Sequence, residues 1–305
     1  MITIVTTTIN EPTKATRKFA KIALANDWKF IVVGDTKTPH ELYQKMKGVT
    51  YLHPEYQESK YKQLSDSIGW RSIQRRNIGF VEAYHETNCD VIATVDDDNI
   101  PYDDWGSEIY IGKPVIGNCF TPKENVFDPL SVTNHNHLWH RGYPIDIIDK
   151  RSDVKCDGNK SITPLVQADL WNGDPDIDAI ARLTYKPEVE FDIDLPFFSK
   201  KISPFNSQNT FLSRKVISKY AVLPHVGRMD DIWGGYIMQH YFPKSVIYGY
   251  PTVYQDRNVQ DLITNLEKEI IGYRNTYRLI NDLPNYNKYL PDDTKKFLDI
   301  YFNSF

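Results

Sequence analysis

The sequence predicts an α/β fold: a mostly parallel sheet flanked by helices, with a helical extension at the C-terminus. Three observations predict it. Short β-branched runs alternate with helical stretches through the first third of the chain, the pattern of βαβ units. The length, 305 residues, suits one large α/β domain with an appendage. From residue 258 onward the pattern changes to long apolar stripes at helical spacing.

The elements follow in order. Residues 2–7 form a β-branched first strand, and 13–26, with Ala and Lys at helical spacing, a first helix. Strands follow at 30–33, ended by Gly34 and Asp35, and at 49–52. Residues 64–86 read as one helix, with Ile73, Phe80, Val81 and Tyr84 on a single face. The fourth strand, 91–95, runs into Asp96, Asp97 and Asp98. Residues 100–205 are rich in Pro, Asp and Asn and read as long active-site loops with short strands. Helices at 215–220 and 231–241 and a strand at 245–248 complete an α/β domain over 1–257. In the extension over 258–305, Leu262, Leu266, Ile270, Tyr273, Tyr277 and Ile280 mark a long amphipathic helix, with a second at 292–301. Its apolar stripe packs on the domain or forms a homo-oligomer contact.

Composition excludes several classes. Hydrophobic residues at 41% and charged residues at 25% describe a globular chain and exclude global disorder. Lys and Arg number 36 against 40 Asp and Glu, a net charge of −4, which disfavours nucleic acid as a partner. Aromatics, at 13%, serve cores as well as stacking and decide nothing alone. Cys89, Cys119 and Cys156 are scattered, without disulfide-framework or zinc-finger spacing, so a cytoplasmic protein is expected. The start lacks a signal-peptide pattern, and no run reaches the roughly 18 apolar residues of a membrane span.

In parallel sheets, ligands sit beyond the carboxyl ends of the strands. Three polar strand ends lie there: residues 6–8, Gly34 with Asp35, and the acidic triplet. Side chains alternate on an extended chain, so Asp96 and Asp98 point the same way. Carboxylates this close repel unless a counter-ion joins them, and hard divalent ions, Mg²⁺ or Mn²⁺, suit carboxylates and diphosphates. The bland alternative is a solvated acidic turn. A second acidic pair, Asp230 and Asp231, opens a helix. Burial raises a carboxylate's pKa towards the range of a general base, although Asp is also a favoured helix cap. His135, His137 and His140 are a weak zinc candidate, because no Cys or carboxylate has zinc spacing nearby. No nucleophile elbow, P-loop or dinucleotide fingerprint is present.

Together these motifs resemble the GT-A-fold nucleotide-sugar glycosyltransferases, in which an Asp-x-Asp at a strand end holds the metal and the diphosphate. Val33-Gly34-Asp35-Thr36-Lys37-Thr38-Pro39 resembles a segment of STELLO-type glycosyltransferases. Arg75-Arg76-Asn77-Ile78-Gly79, the acidic triplet and Arg141-Gly142-Tyr143-Pro144 resemble the reversibly glycosylated polypeptides, which are UDP-arabinopyranose mutases. So does the stretch from Leu170 and Trp171 through Asp174, Pro175, Asp176, Ile177 and Asp178 to Ala179. The matches run in order over residues 1–257 and leave the tail uncovered.

The resemblance implies roles residue by residue. Thr7 and Thr8 would line the nucleotide pocket, and Gly34 and Asp35 would face the base or ribose. Arg75 or Arg76 would reach the diphosphate. Asp96 and Asp98 would hold Mn²⁺ or Mg²⁺, Asp98 directly, with Asp97 beside them in the donor site. Phe205-Asn206-Ser207-Gln208-Asn209 would belong to the donor-sugar or acceptor wall, although the same composition makes an ordinary turn; Trp171 would be a donor-binding residue, and Arg257 would bind phosphate. Asp231 would be the general base, with Asp230 capping the helix or touching the acceptor. Two departures matter. The mutases carry a self-glycosylated arginine after Gly-Tyr-Pro, where this chain has Ile148, with Lys150 and Arg151 out of register. Many GT-A enzymes supply a metal-binding histidine near the late strand, where this chain has Gln255 and Arg257. The expectation is a transferase moving a sugar from a nucleotide-diphosphate sugar, UDP-linked, to a hydroxyl acceptor. A UDP-sugar mutase or a non-catalytic nucleotide-sugar-binding relative is the alternative.

Overall fold

The computed structural model describes residues 1–193, 196–257 and 260–305. Residue 258, where the extension was expected to begin, lies outside the described residues. The strands are β1 (Ile2–Thr8), β2 (Lys29–Gly34), β3 (Thr50–Leu52), β4 (Val91–Val95), β5 (Asn99–Pro101), β6 (Val115–Pro122), β7 (Val154–Ile162), β8 (Val166–Gly173), β9 (Phe197–Ser199), β10 (Asn209–Ser213) and β11 (Val246–Gln255). They join in the order β3-β2-β1-β4-β10-β8-β11-β9-β6-β7, with β5 on β11. Strands β1–β4, β7, β8 and β11 run one way and β5, β6, β9 and β10 the other, so most of the sheet shares one direction.

The helices are α1 (Lys14–Ala25), α2 (His40–Gln44), α3 (Pro54–Lys60), α4 (Lys62–Ile68), α5 (Arg76–Glu86), α6 (Ala179–Tyr185), α7 (Asp230–Tyr241), α8 (Leu262–Asn281) and α9 (Asp292–Phe302). The α/β architecture expected from the sequence, a sheet flanked by helices, is the one observed. β1, β2 and β4, rich in Val, Ile and Thr, are buried along almost their whole length, as strands covered on both faces are. Thr13 caps α1 by accepting from the Thr16 amide at 3.1 Å. α5 packs so closely on the sheet that a Cβ on Gly79 would lie 2.5 Å from Val5.

Three expectations are corrected. Residues 64–86 are not one helix: Gly69 (φ 77°) and Arg71 (φ 59°) adopt left-handed backbone that ends α4. A single turn at Ile73–Arg75 then leads into α5, leaving Ile73 on the surface rather than on a buried face. Residues 100–205 hold more than loops: β6 and β7 form a long hairpin, whose polar, exposed β7 hides its strand character. Residues 215–220 contain only the short turn Ile217–Lys219.

The tail is integral to the packing. α8 lies against the turn Gly227–Met229 and against α6, and α9 lies against α4. Its inward edge is Glu269, Gly272, Thr276, Leu279 and Ile280, while Ile270 is exposed. Gly272 causes this phase, because a Cβ there would lie 2.5 Å from Met229 Sδ. Trp233 of α7 donates its indole N–H to Thr276 at 2.9 Å. No helix of the described residues is long and apolar enough to cross a membrane. Gly272→Val would wedge α8 away from Met229 and should destabilise the chain by about 1–3 kcal/mol, the cost of overpacking. Chemical denaturation measures this, and an unchanged midpoint would contradict the close docking of α8.

Candidate functional site

The carboxyl ends of β1, β2, β4, β8 and β11 open on the same side of the sheet as the start of β10 and of α7. Two cavities lie there. The larger, of about 510 Å³, is walled by Asp96, Asp98, Arg141, Asp176, Ser207, Gln208, Asp230, Asp231, Gln255 and Arg257. Its mouth adds Arg71, Gln74, His225, Arg228, Gln260 and Lys268. The smaller, of about 230 Å³, is lined by Thr7, Thr8, Ile9, Asn10, Asp35, Lys37 and Asp97. Arg71, Ser72 and Ile73 border both.

A buried polar relay crosses the floor of the larger cavity. Arg76 is fully buried and pairs with Asp96 Oδ1. Its Nη1 donates to the Ser207 carbonyl at 2.6 Å and to Ser207 Oγ at 2.7 Å. Ser207 in turn donates to Asp231 Oδ2 from its amide at 2.8 Å and its hydroxyl at 3.0 Å. Arg141 Nη2 sits 3.0 Å from Asp231 Oδ1 and 2.8 Å from Asp176 Oδ2, and Nε donates to Asp176 Oδ1 at 2.9 Å. Burial would raise the Asp176 pKa, but Arg141, with Arg257 and Arg228 beyond it, holds it far below the usual range.

The relay holds the two acids on α7 differently. Asp231 Oδ2 accepts from Ser207, while its Oδ1 lies 3.0 Å from Arg141 Nη2 and is buried without a hydrogen bond. Asp230 accepts a single 2.8 Å hydrogen bond from Gln74 and stands 3.7 Å from Arg141. Burial, then the neighbouring Asp231, push its pKa up to about 7, with Arg141 offsetting only part. Neither acid caps α7, because Met229 occupies the cap position and no side chain bonds there. The capping alternative for Asp230 is therefore not observed; Asp230 and Asp231 both border the large cavity, Asp230 with fewer hydrogen bonds.

Other expected site residues divide. Asp35 lines the small cavity, accepting from the Thr36 amide at 2.5 Å and the Ser72 amide at 3.1 Å. Thr7, Thr8 and Asp97 line it too, with Asp97 held by Thr8 and by Asn10 at 2.9 Å. Gly34 borders neither cavity; its lack of a side chain admits the Tyr51 hydroxyl. Arg75 also borders neither cavity. Its guanidinium donates to Gln57, Ser65 and the Gly69 carbonyl and stacks on Trp70. Arg76 works only through Asp96 and Ser207. Trp171 is buried against His140 and Phe191, and Asn206 donates to Asp176 at 3.1 Å behind the wall.

Arg151 pairs with Asp128 at 3.1 Å in the interior, and Lys150 pairs with Glu124. The histidines are a structural loop: His135 reaches the Glu190 carbonyl, and His140 is buried against the Arg141 carbonyl. Among the described residues no three His, Cys, Asp or Glu side chains gather to hold a metal by themselves.

The cavity nevertheless fits a cation with a polyanion. Asp98 Oδ1, Gln208 Oε1, both amide atoms of Gln255, and Arg257 Nη2 are buried without a hydrogen-bond partner. Burial raises the Asp98 pKa to about 7, reinforced by Asp96, which is the behaviour of a carboxylate short of positive charge. Arg257 meets Asp174 only at 3.4 Å, and burial lowers its pKa. Buried polar groups are normally paired, so a cluster of unpaired ones facing one cavity marks where a ligand's groups belong. Asp98 and Gln255 offer oxygens to a divalent ion, and Arg257 offers N–H groups to phosphate.

Sequence reasoning missed Arg141 as the hub, and Gln74, Arg71 and Lys268 altogether. Arg141 stood in a quoted motif, but only its contacts with three distant carboxylates show its role. Lys268 belongs to the tail, outside the resemblance.

No protein-family model matches the chain, and no curated protein matches it. Solved structures that align with it include three of glucosyl-3-phosphoglycerate synthase from Mycobacterium tuberculosis, each 12% identical. The complex with phosphoglyceric acid aligns with a TM-score of 0.45, over 92% of this chain and 78% of that one. The complex with Mn²⁺, uridine diphosphate and phosphoglyceric acid gives 0.46 over 90% and 78%. The complex with Mg²⁺ and uridine diphosphate gives 0.45 over 90% and 79%.

The raised pKa of Asp230 has a signature in stability. The native state keeps a proton that the unfolded chain loses near pH 3.9, so this contribution is complete below about pH 4 and is lost as pH rises through about 7. Asp230→Asn removes the loss. Its stability relative to wild type should therefore rise steadily from pH 4 to pH 8 in chemical denaturation. A difference that does not change with pH would show Asp230 to be ionised throughout.

Proposed function

We propose that the chain is a GT-A-like, metal-dependent glycosyltransferase using a nucleotide-diphosphate sugar, UDP-linked, and a hydroxyl acceptor. The catalytic unit is residues 1–257, with the helices after it completing the wall of the site. One observation carries the reading. Unpaired buried groups of both signs, Asp98 with Gln255 and Arg257, face a polar cavity beyond the strand ends, beside a second cavity sized for a nucleoside.

In this reading the nucleoside occupies the small cavity between Thr7, Asp35 and Ile73. The diphosphate passes Arg71 into the large cavity and lies against Arg257. A bound Mg²⁺ or Mn²⁺ would neutralise charge developing on the leaving diphosphate. Asp98 and Asp96 hold that ion's place, and Arg76 fixes the angle of Asp96. Asp230 takes the proton from the acceptor hydroxyl, since a carboxylate titrating near neutrality is ionised enough to act and basic enough to be useful. Gln74 orients it, and Arg141 limits how far its pKa rises. Self-glycosylation is not part of this reading, because Ile148 has no nucleophile and Arg151 is locked to Asp128.

Calorimetry with UDP, with and without Mn²⁺, tests the donor assignment. Wild type should bind UDP more tightly with the metal. Asp98→Ala should lose that increment while keeping its fold. Equal binding of UDP–Mn²⁺ by wild type and Asp98→Ala would refute it.

The base assignment is tested by turnover. Asp230→Asn should lower it by roughly 10²–10⁴-fold, the range for a lost general base, with UDP affinity little changed. A variant Asp230→Asn with near-normal turnover would move the role to Asp231 or Asp176.

A further inference from the structure

The mouth of the large cavity carries nitrogen groups that nothing inside the protein uses. Lys268, on α8, and His225, shortly before α7, both border it, and neither side chain has an ion pair or hydrogen bond among the described residues. Arg228 borders it too, in a different state. Buried Glu269 accepts from its Nε at 2.8 Å, while Nη2 stops 3.7 Å from Asp176 and neither Nη atom donates a hydrogen bond among the described residues. The guanidinium is thus held by one edge and keeps the other for a partner, the arrangement that suits an oxyanion.

Backbone strain marks the same place. Left-handed backbone is costly outside glycine, yet of the five non-glycine residues that adopt it among the described residues, Arg71 (φ 59°) and His225 (φ 66°) both stand at this mouth. Arg71 borders both cavities and serves the donor in the reading above. His225 lies just before the turn Gly227–Met229, which runs directly into Asp230, and Gly227 packs under the Lys268 carbonyl. One turn and one helix therefore place His225, Arg228 and Lys268 around the approach to Asp230. The donor leaves them unused, since its diphosphate has the cation, Arg257 and Arg71.

We infer, resting on the donor and base assignments above, that the acceptor is a small hydroxyl compound bearing an oxyanion, phosphate or carboxylate, which Arg228, Lys268 and His225 receive while its hydroxyl lies at Asp230. An anion entering a cavity that holds Asp98, Asp230 and Asp231 meets repulsion unless cations offset it, and these are the cations placed to do so. A neutral acceptor would leave them with no work. The C-terminal helices thus set acceptor specificity: α8 supplies Lys268 itself and, through Glu269, the fixed angle of Arg228.

The test is calorimetric titration of inorganic phosphate, and separately of acetate, into the full chain saturated with UDP and Mg²⁺, so that the donor positions are filled. Wild type should bind at least one of the two anions, phosphate alone indicating a phosphorylated acceptor and acetate a carboxylated one. Lys268→Met should weaken that anion by about 10-fold or more, the scale of one charge-assisted hydrogen bond. His225→Asn, which tolerates left-handed backbone, should weaken it as well. Both side chains are exposed, so the fold and UDP affinity should stay as in wild type; Arg228 is kept, because its loss would strand buried Glu269. If UDP and Mg²⁺ bind but neither anion does, or if both variants bind the anion like wild type, the acceptor inference is overturned and the donor reading stands. An anion that binds only without UDP sits in the diphosphate's place and overturns the inference too. If wild type does not bind UDP with Mg²⁺, the donor reading fails and this inference fails with it.

Discussion

Two buried arginines hold the site together. Arg76 and Arg141 are each enclosed, and each is matched to carboxylates: Asp96 for the first, Asp176 and Asp231 for the second. Ser207 links the two pairs through four hydrogen bonds. A charge buried without its partner costs far more than a hydrogen bond contributes, so none of these groups is free to move alone. The relay ties the end of β4, the entry to β10, the start of α7 and the loop after β8 into one rigid floor. It also sorts the acids. Those inside the relay are each paired with a buried arginine, while Asp98 and Asp230 stand at its edges, facing the cavity with fewer partners.

The C-terminal helices extend this arrangement. Glu269 is buried; it accepts from Arg228 Nε at 2.8 Å, from the Ala179 amide at 2.9 Å and from the Tyr273 hydroxyl at 3.0 Å. It thus anchors the mouth of the large cavity to the start of α6. Gly227, with φ 59°, lets the turn before α7 pass directly under the Lys268 carbonyl. The turn leading into Asp230 is therefore set by contact with α8, which carries Lys268, and the tail shapes the site as well as covering the domain.

The strand ends were legible in the sequence because all-apolar β-branched runs that stop at polar residues have few other readings. β4 and its acidic exit show this best. The helices α1, capped by Thr13, and α7 were legible for the same reason: local pattern and local structure agreed. The break at Gly69 to Ser72 was not, because the apolar spacing of residues 64–86 continues across it, and only left-handed backbone reveals it. Nor were the fates of Arg75 and Arg76. Adjacent arginines look alike in sequence, yet one bonds Gln57, 18 positions away, and the other pairs with Asp96, 20 positions away. The partners of Asp230 and Asp231, namely Gln74, Ser207 and Arg141, are ones that no local pattern connects to them.

The claim that the relay organises the site is tested most directly by the stability of Arg141→Met. That side chain keeps much of the bulk and removes the charge, leaving Asp176 and Asp231 buried without their main counter-ion. Chemical denaturation at neutral pH should show a loss of about 3–5 kcal/mol, the scale of breaking a buried pair by deleting one partner. A change within about 0.5 kcal/mol, the scale of an indifferent surface substitution, would contradict it.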